Sequence, residues 1–212
     1  MEYMDIERFN NVIAPLLNFD KTYVKRINFP ALSSIRILDA NIPNTDGHFK
    51  MQGVCYNGLI TAVQFRQDYI LYYPRNNNEL GISFEFTGCI MAQFCCNGIY
   101  YIAHIYLEQG HDTRKFWNNF IEKAVRDTNN EFKDFILFRP YSSFIKTYYE
   151  DRYAKMFPNI DISICGVIEN SDCYSCIMDM KNCKIIYAVR TNDVQKNYGK
   201  LTMQNYRNVL IP

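Results

Sequence analysis

The chain lacks a surplus of charge of either sign: its 23 basic residues face 22 acidic ones, a formal net charge of +1. A balance that close gives no basic stripe to announce a nucleic-acid binder and no polybasic patch to announce a membrane-surface protein. Long apolar runs are missing too. None exceeds strand length, so no segment reads as a bilayer-spanning helix. The opening Met1-Glu2-Tyr3-Met4-Asp5-Ile6-Glu7-Arg8 carries acidic residues where a secretory signal carries basic ones. The expectation is therefore a protein secreted, if at all, without a classical signal peptide. Repeats and low-complexity tracts are absent. Histidine is scarce, so any imidazole acting as a base is His48, His104 or His111.

Aromatic and apolar side chains are plentiful. A hydrophobic fraction of 48%, with 17 Tyr and 15 Phe, supplies a core for one domain spanning residues 1–212. Eight cysteines stand at 55, 89, 95, 96, 165, 173, 176 and 183. A chain of this size needs no disulfide framework, and the cysteines read mostly as reduced, buried thiols in strands. Cys173-Tyr174-Ser175-Cys176 is a C-x-x-C without the second ligand pair of a zinc site. It lies in a strand pattern, not at the helix start of a redox motif. No metal and no cofactor is expected.

Periodicity predicts a helix over 5–18, limited by Pro15, and a short strand around Ile35–Leu38. Strand patterns follow at His48–Tyr56, Leu59–Arg66, Tyr69–Tyr73 and Ile82–Phe86, with Asn57-Gly58 as a hairpin signal between the first two. Asp112-Thr113 is placed to cap a helix running to about Asp127, whose stripe is Phe116, Phe120, Ile121, Ala124 and Val125. Trp117 falls outside that stripe and reads as a partly buried aromatic or the border of a binding face. Phe132–Phe138 is a strand, Ser142–Met156 a second amphipathic helix, and Ile160–Ile168, Cys173–Met180 and Ile185–Arg190 are strands. The tail from Thr191 has no clear pattern. The fold class expected is α+β: a mostly antiparallel sheet or β-sandwich flanked by helices.

The most informative segment is the hairpin around Asn97-Gly98, a dipeptide suited to a type I′ turn. With those two residues as the loop, partners sum to 195, so Met91 faces His104 and Cys89 faces Tyr106. Alternation then puts Cys89 and His104 on one face as diagonal neighbours, with Cα atoms roughly 7–8 Å apart. A cysteine beside a histidine can ionise and attack carbonyl carbon. Gly88 before Cys89 permits a sharp turn and close substrate approach, and backbone N–H groups along Thr87-Gly88-Cys89 can stabilise an oxyanion. The plain alternative is that Cys89 is one more strand cysteine. His48, in a loop, and His111, at a helix start, read as surface histidines.

The Thr87-Gly88-Cys89 step, the fifteen residues to His104 and the strand-turn-strand between them resemble the catalytic region of the cytotoxic necrotizing factor and dermonecrotic toxin deamidases. The stand-alone subgroup typified by Burkholderia lethal factor is closest in size. That family's Leu-Ser-Gly-Cys motif appears here as Phe86-Thr87-Gly88-Cys89, with the leucine replaced. The subgroup's supporting threonine, six residues before the cysteine, corresponds to Ser83, while the fifteen-residue spacing is that of the necrotizing factors. The resemblance implies a protein-glutamine deamidase with Cys89 as nucleophile and His104 as base. The group that orients the imidazole is then Ser83 or a backbone carbonyl near Tyr56-Asn57. It further implies a monomeric toxin or effector acting in a host cytoplasm on a host protein with a reactive glutamine. A translation-initiation DEAD-box helicase is favoured over a Rho-type GTPase as that target. The alternatives are a transglutaminase or cysteine protease using the same pair, and a non-enzymatic binding domain with Cys89 in its core.

Overall fold

The computed structural model describes residues 47–56, 60–63, 65–76, 80–108, 111–142, 145–146, 162–179, 184–191 and 193–212. Most of them are strand. In chain order these are β1 (Phe49–Met51), β2 (Gly53–Tyr56), β3 (Ile60–Val63), β4 (Ile70–Arg75), β5 (Leu80–Ser83), β6 (Ile90–Cys96) and β7 (Ile99–Ile105). Two short strands follow, β8 (Leu107–Glu108) and β9 (His111–Asp112), and then helix α1 (Arg114–Arg126). The chain continues through β10 (Phe132–Phe138), β11 (Ile162–Glu169), β12 (Asp172–Asp179), β13 (Lys184–Arg190) and β14 (Val194–Lys200) to a 3-10 turn at Tyr206–Val209. The first sheet runs β1-β4-β7-β6-β10-β14 and the second β13-β12-β11-β5-β3-β2.

The β6–β7 hairpin sets the layering. Asn97 and Gly98 take φ of 50° and 82°, as a type I′ turn requires, and Met91 pairs with His104 in the expected register. Side chains alternate from there. Ile90, Ala92, Phe94, Cys96, Tyr101, Ala103 and Ile105 point to one face, where they meet Trp117, Phe120 and Ile121 of α1. Cys89, Met91, Ile102 and Tyr106 point to the other, where they meet Ile164, Ile168, Ile177 and Val189 of the second sheet. The result is a β-sandwich with a helix on the outer face of its first sheet, an α+β fold dominated by sheet.

Several elements differ from their sequence patterns. Trp117 is fully buried at the centre of the helix face, and its indole N–H donates to the Val209 carbonyl at 2.9 Å. Thr113 precedes α1 without capping it; its hydroxyl donates to the Tyr106 carbonyl at 2.6 Å instead. β5 ends at Ser83 because Glu85 turns to φ 60° and Phe86 N–H leaves to bond Ile164 O. The tail after Thr191 supplies β14, which pairs antiparallel with β10. Both sheets are mixed, since β1 runs parallel to β4 and β3 parallel to β5. The helices expected over 5–18 and 142–156 and the strand near 35–38 lie wholly or mainly outside the described residues. Among the described residues no helix is long and apolar enough to cross a membrane.

Candidate functional site

His104 stands on the sandwich face of β7, between the two sheets. Its ring stacks on Phe86, with centroids 4.3 Å apart and planes 11° from parallel, and meets Phe65 edge-on at 5.6 Å. From the second sheet Ser83 reaches it: Ser83 Oγ lies 2.8 Å from His104 Nδ1. The same hydroxyl donates its single hydrogen to the Val63 carbonyl at 2.7 Å. Ser83 Oγ can therefore only accept from the imidazole, so Nδ1 carries the ring proton and Nε2 presents a lone pair. Nε2 has no hydrogen-bond partner among the described residues. That is the tautomer a general base needs.

Cys89 precedes the first residue of β6. Continuing the ladder from Ile90↔Ile105 sets it across from Tyr106 and diagonal to His104, on the same face. Its thiol makes no hydrogen bond to Nε2 in this conformation. Burial raises the thiol pKa. Backbone N–H groups of Leu107, Gly88 and Cys89 act the other way by favouring a thiolate, and the Glu108 carboxylate opposes them. Burial also pushes His104 down to about 3. The resting pair is thus a neutral thiol and a neutral imidazole, not the thiolate expected from the pairing alone. The reason is desolvation, since each residue is 1% exposed.

The surroundings of the thiol grade quickly to solvent. Thr87 is exposed and Gly88 half-buried, and on the facing segment Leu107 is half-buried and Glu108 exposed. The Gly88 carbonyl accepts from Arg139 Nη1 at 3.2 Å. A Cβ on Gly88 would meet only the Leu107 carbonyl, at 3.6 Å, and the backbone there avoids positive φ. The glycine is thus not required by a sharp turn. The N–H groups of Gly88, Cys89 and Leu107 lie close enough to the thiol to favour its charged form.

The other nominated groups lie elsewhere. Tyr56 ends β2, which β3 separates from the Ser83 strand, and neither the Tyr56 side chain nor Asn57 is among the described residues. Nδ1 bonds Ser83, so a Tyr56-Asn57 carbonyl does not orient the ring. His48 stacks on Phe116 at 3.6 Å, and its Nδ1 lies 3.1 Å from Asp68 O, so it is engaged outside the sandwich interior. His111 lies in β9, and its side chain is outside the described residues.

The C-x-x-C residues fall three apart on β12 and so face opposite ways. Cys173 joins the inter-sheet core, where burial pushes its thiol up to about 12, and Cys176 pairs in register with Cys165. Cys89, Cys95, Cys96, Cys165, Cys173 and Cys176 are free thiols. No group of metal-ligating side chains occurs among the described residues.

Phe86, Phe65, Val63, Leu107 and Glu108 shape the site without having been singled out from sequence. Phe86 alone had a signal, its place in the four-residue motif. Comparison of the chain with models of protein families, with curated proteins and with solved structures finds no match.

Proposed function

We propose that the chain is a protein-glutamine deamidase in which Cys89 is the nucleophile and His104 the general acid and base. The observation that carries the reading is the Ser83–His104 hydrogen bond, because it leaves Nε2 unprotonated on the face that Cys89 shares. A neutral pair can act by general-base catalysis. The thiol proton passes to Nε2 as sulfur bonds the carboxamide carbon, and the carbonyl electron pair moves to oxygen. The N–H groups of Gly88, Cys89 and Leu107 receive that charge. Collapse breaks the C–N bond, and the proton on Nε2 leaves with nitrogen as ammonia. Water then adds to the thioester and gives a proton to Nε2; the C–S bond breaks and the thiol is restored. Glutamine and water become glutamate and ammonia, with no cofactor.

Substrate enters this scheme when the Thr87-Gly88 and Leu107-Glu108 segments part, since both reacting side chains are covered at rest. The setting proposed is a bacterial toxin or effector in a host cytoplasm, acting on a translation-initiation DEAD-box helicase or, second, a Rho-type GTPase. Incubating each purified target with wild type and with Cys89→Ser tests it. One glutamine should gain about 1 Da with wild type only, with the rate falling about 10⁴-fold or more in the variant. Amine incorporation would mean transglutamination and chain cleavage proteolysis.

Burial and the raised thiol favour a second reading, a non-enzymatic binding domain whose Cys89 is core. Folded protein whose Cys89 resists iodoacetamide as fully as Cys165 and Cys176 would support it.

A further inference from the structure

We infer that Glu108 is a charge filter at the mouth of the Cys89 site, admitting an uncharged carboxamide and turning away a carboxylate. Its biological meaning rests on the deamidase reading, because glutamine and its product glutamate differ in that one charge. The geometry begins with Tyr106, which lies across from Cys89 on the extended hairpin ladder. The phenol of this buried residue donates to the Glu108 carboxylate, so a rim residue that would otherwise wave in solvent is held beside the site. The Leu107 carbonyl comes within 3.6 Å of the Cβ position at Gly88, which brings this segment alongside the nucleophile's own.

The Glu108 carboxylate is a charged group whose field reaches the sulfur. His104 is neutral and bonded to Ser83, and the Arg139 guanidinium is directed at the Gly88 carbonyl. A fixed carboxylate there repels an incoming glutamate or aspartate and leaves an amide undisturbed. It also repels the product formed on the same carbon skeleton, so one charge serves entry and release.

Iodoacetamide and iodoacetate test this, because they carry the same electrophilic carbon on an amide and on a carboxylate. Their rate ratio at Cys89, read by peptide mass spectrometry of the folded protein, cancels the thiolate fraction. Relative to free cysteine, wild type should favour iodoacetamide by about tenfold, the size of a like-charge contact at a partly screened site. Glu108→Gln should bring the ratio to that of free cysteine, Tyr106→Phe partway, and Glu108→Lys below it. An unchanged ratio in Glu108→Gln overturns the filter, as does failure of both reagents to label Cys89 in the folded wild type. If the ratio responds to Glu108 while wild type deamidates neither target, the filter stands and the deamidase reading falls.

Discussion

The two faces of the first sheet are built from alternate residues of the same hairpin, yet they are packed on different terms. Toward the helix, Phe94 stacks on Phe135 at 5.6 Å and meets Trp117 and Phe120 at 6.0 and 5.5 Å. The indole N–H in that cluster is bonded to a backbone carbonyl. Toward the second sheet, His104 Nε2, Gln93 Oε1 and Ser175 Oγ are buried with no hydrogen-bond partner among the described residues. An unmet buried polar group costs about 1–3 kcal/mol. The helix face thus supplies stability through close aromatic packing and leaves one such group, Asn197 Nδ2 beside Phe135, unmet among the described residues, while the sandwich face leaves three. Local rules of folding tend to be broken where chemistry is done.

Replacing His104 with Leu sets the two faces apart most sharply. Deamidation should fall by about 10³-fold or more with loss of the acid–base group. Stability in urea should meanwhile hold within about 1 kcal/mol, because Ser83 keeps Val63 as its acceptor and an unmet nitrogen disappears. Phe94→Ala should do the reverse, costing about 3–5 kcal/mol in the same melts. A His104→Leu protein that lost activity and stability together would erase the distinction.

Gly166→Ala probes how tightly the sheets close over the site. Its Cβ would stand 2.6 Å from both Met91 Sδ and Pro140 Cγ, and Met91 is the register partner of His104. The expected cost is about 1–3 kcal/mol, with a measurable fall in activity as the imidazole is displaced. Ser83→Ala should lower kcat about 10- to 100-fold through loss of the tautomer, with little change in KM.

The most gradual effect is a pH dependence. The unfolded chain binds a proton at His104 below pH 6.5, which the folded chain refuses until about pH 3. This buried neutral imidazole therefore makes folding less favourable as pH falls across that window, by at most about 1.4 kcal/mol per unit. Urea midpoints between pH 6.5 and pH 4 should show a shallower slope in His104→Leu than in wild type.

Much of the central architecture was legible because its signals are local. Asn97-Gly98 specifies a turn with two left-handed residues, and strict alternation then sorts Cys89, Met91, Ile102 and His104 onto one side. Phe132–Phe138 was readable with its exact bounds for the same reason, since the apolar run Phe135-Ile136-Leu137-Phe138 is stopped by Pro140 after Phe132 opens the strand. The tail was not readable: Val194–Lys200 is a polar edge strand whose pairing with β10 leaves no apolar pattern of its own. Trp117 was misplaced because the helix stripe is centred on Trp117, Phe120, Ile121 and Ala124, displaced around the axis from the expected Phe116–Val125 line. Nor does any spacing announce the parallel pairs β1–β4 and β3–β5, which join strands separated along the chain.

From the chain alone came the register of one hairpin and, with it, the shared face of a sulfur and an imidazole, because turn chemistry and strand alternation act over a few neighbouring residues. Tertiary structure decided which hydroxyl meets the imidazole, which nitrogen keeps the proton and how deeply the pair is buried. Those outcomes follow from laying the second sheet over the first, where contacts between distant residues and the exclusion of water govern hydrogen bonding and ionisation.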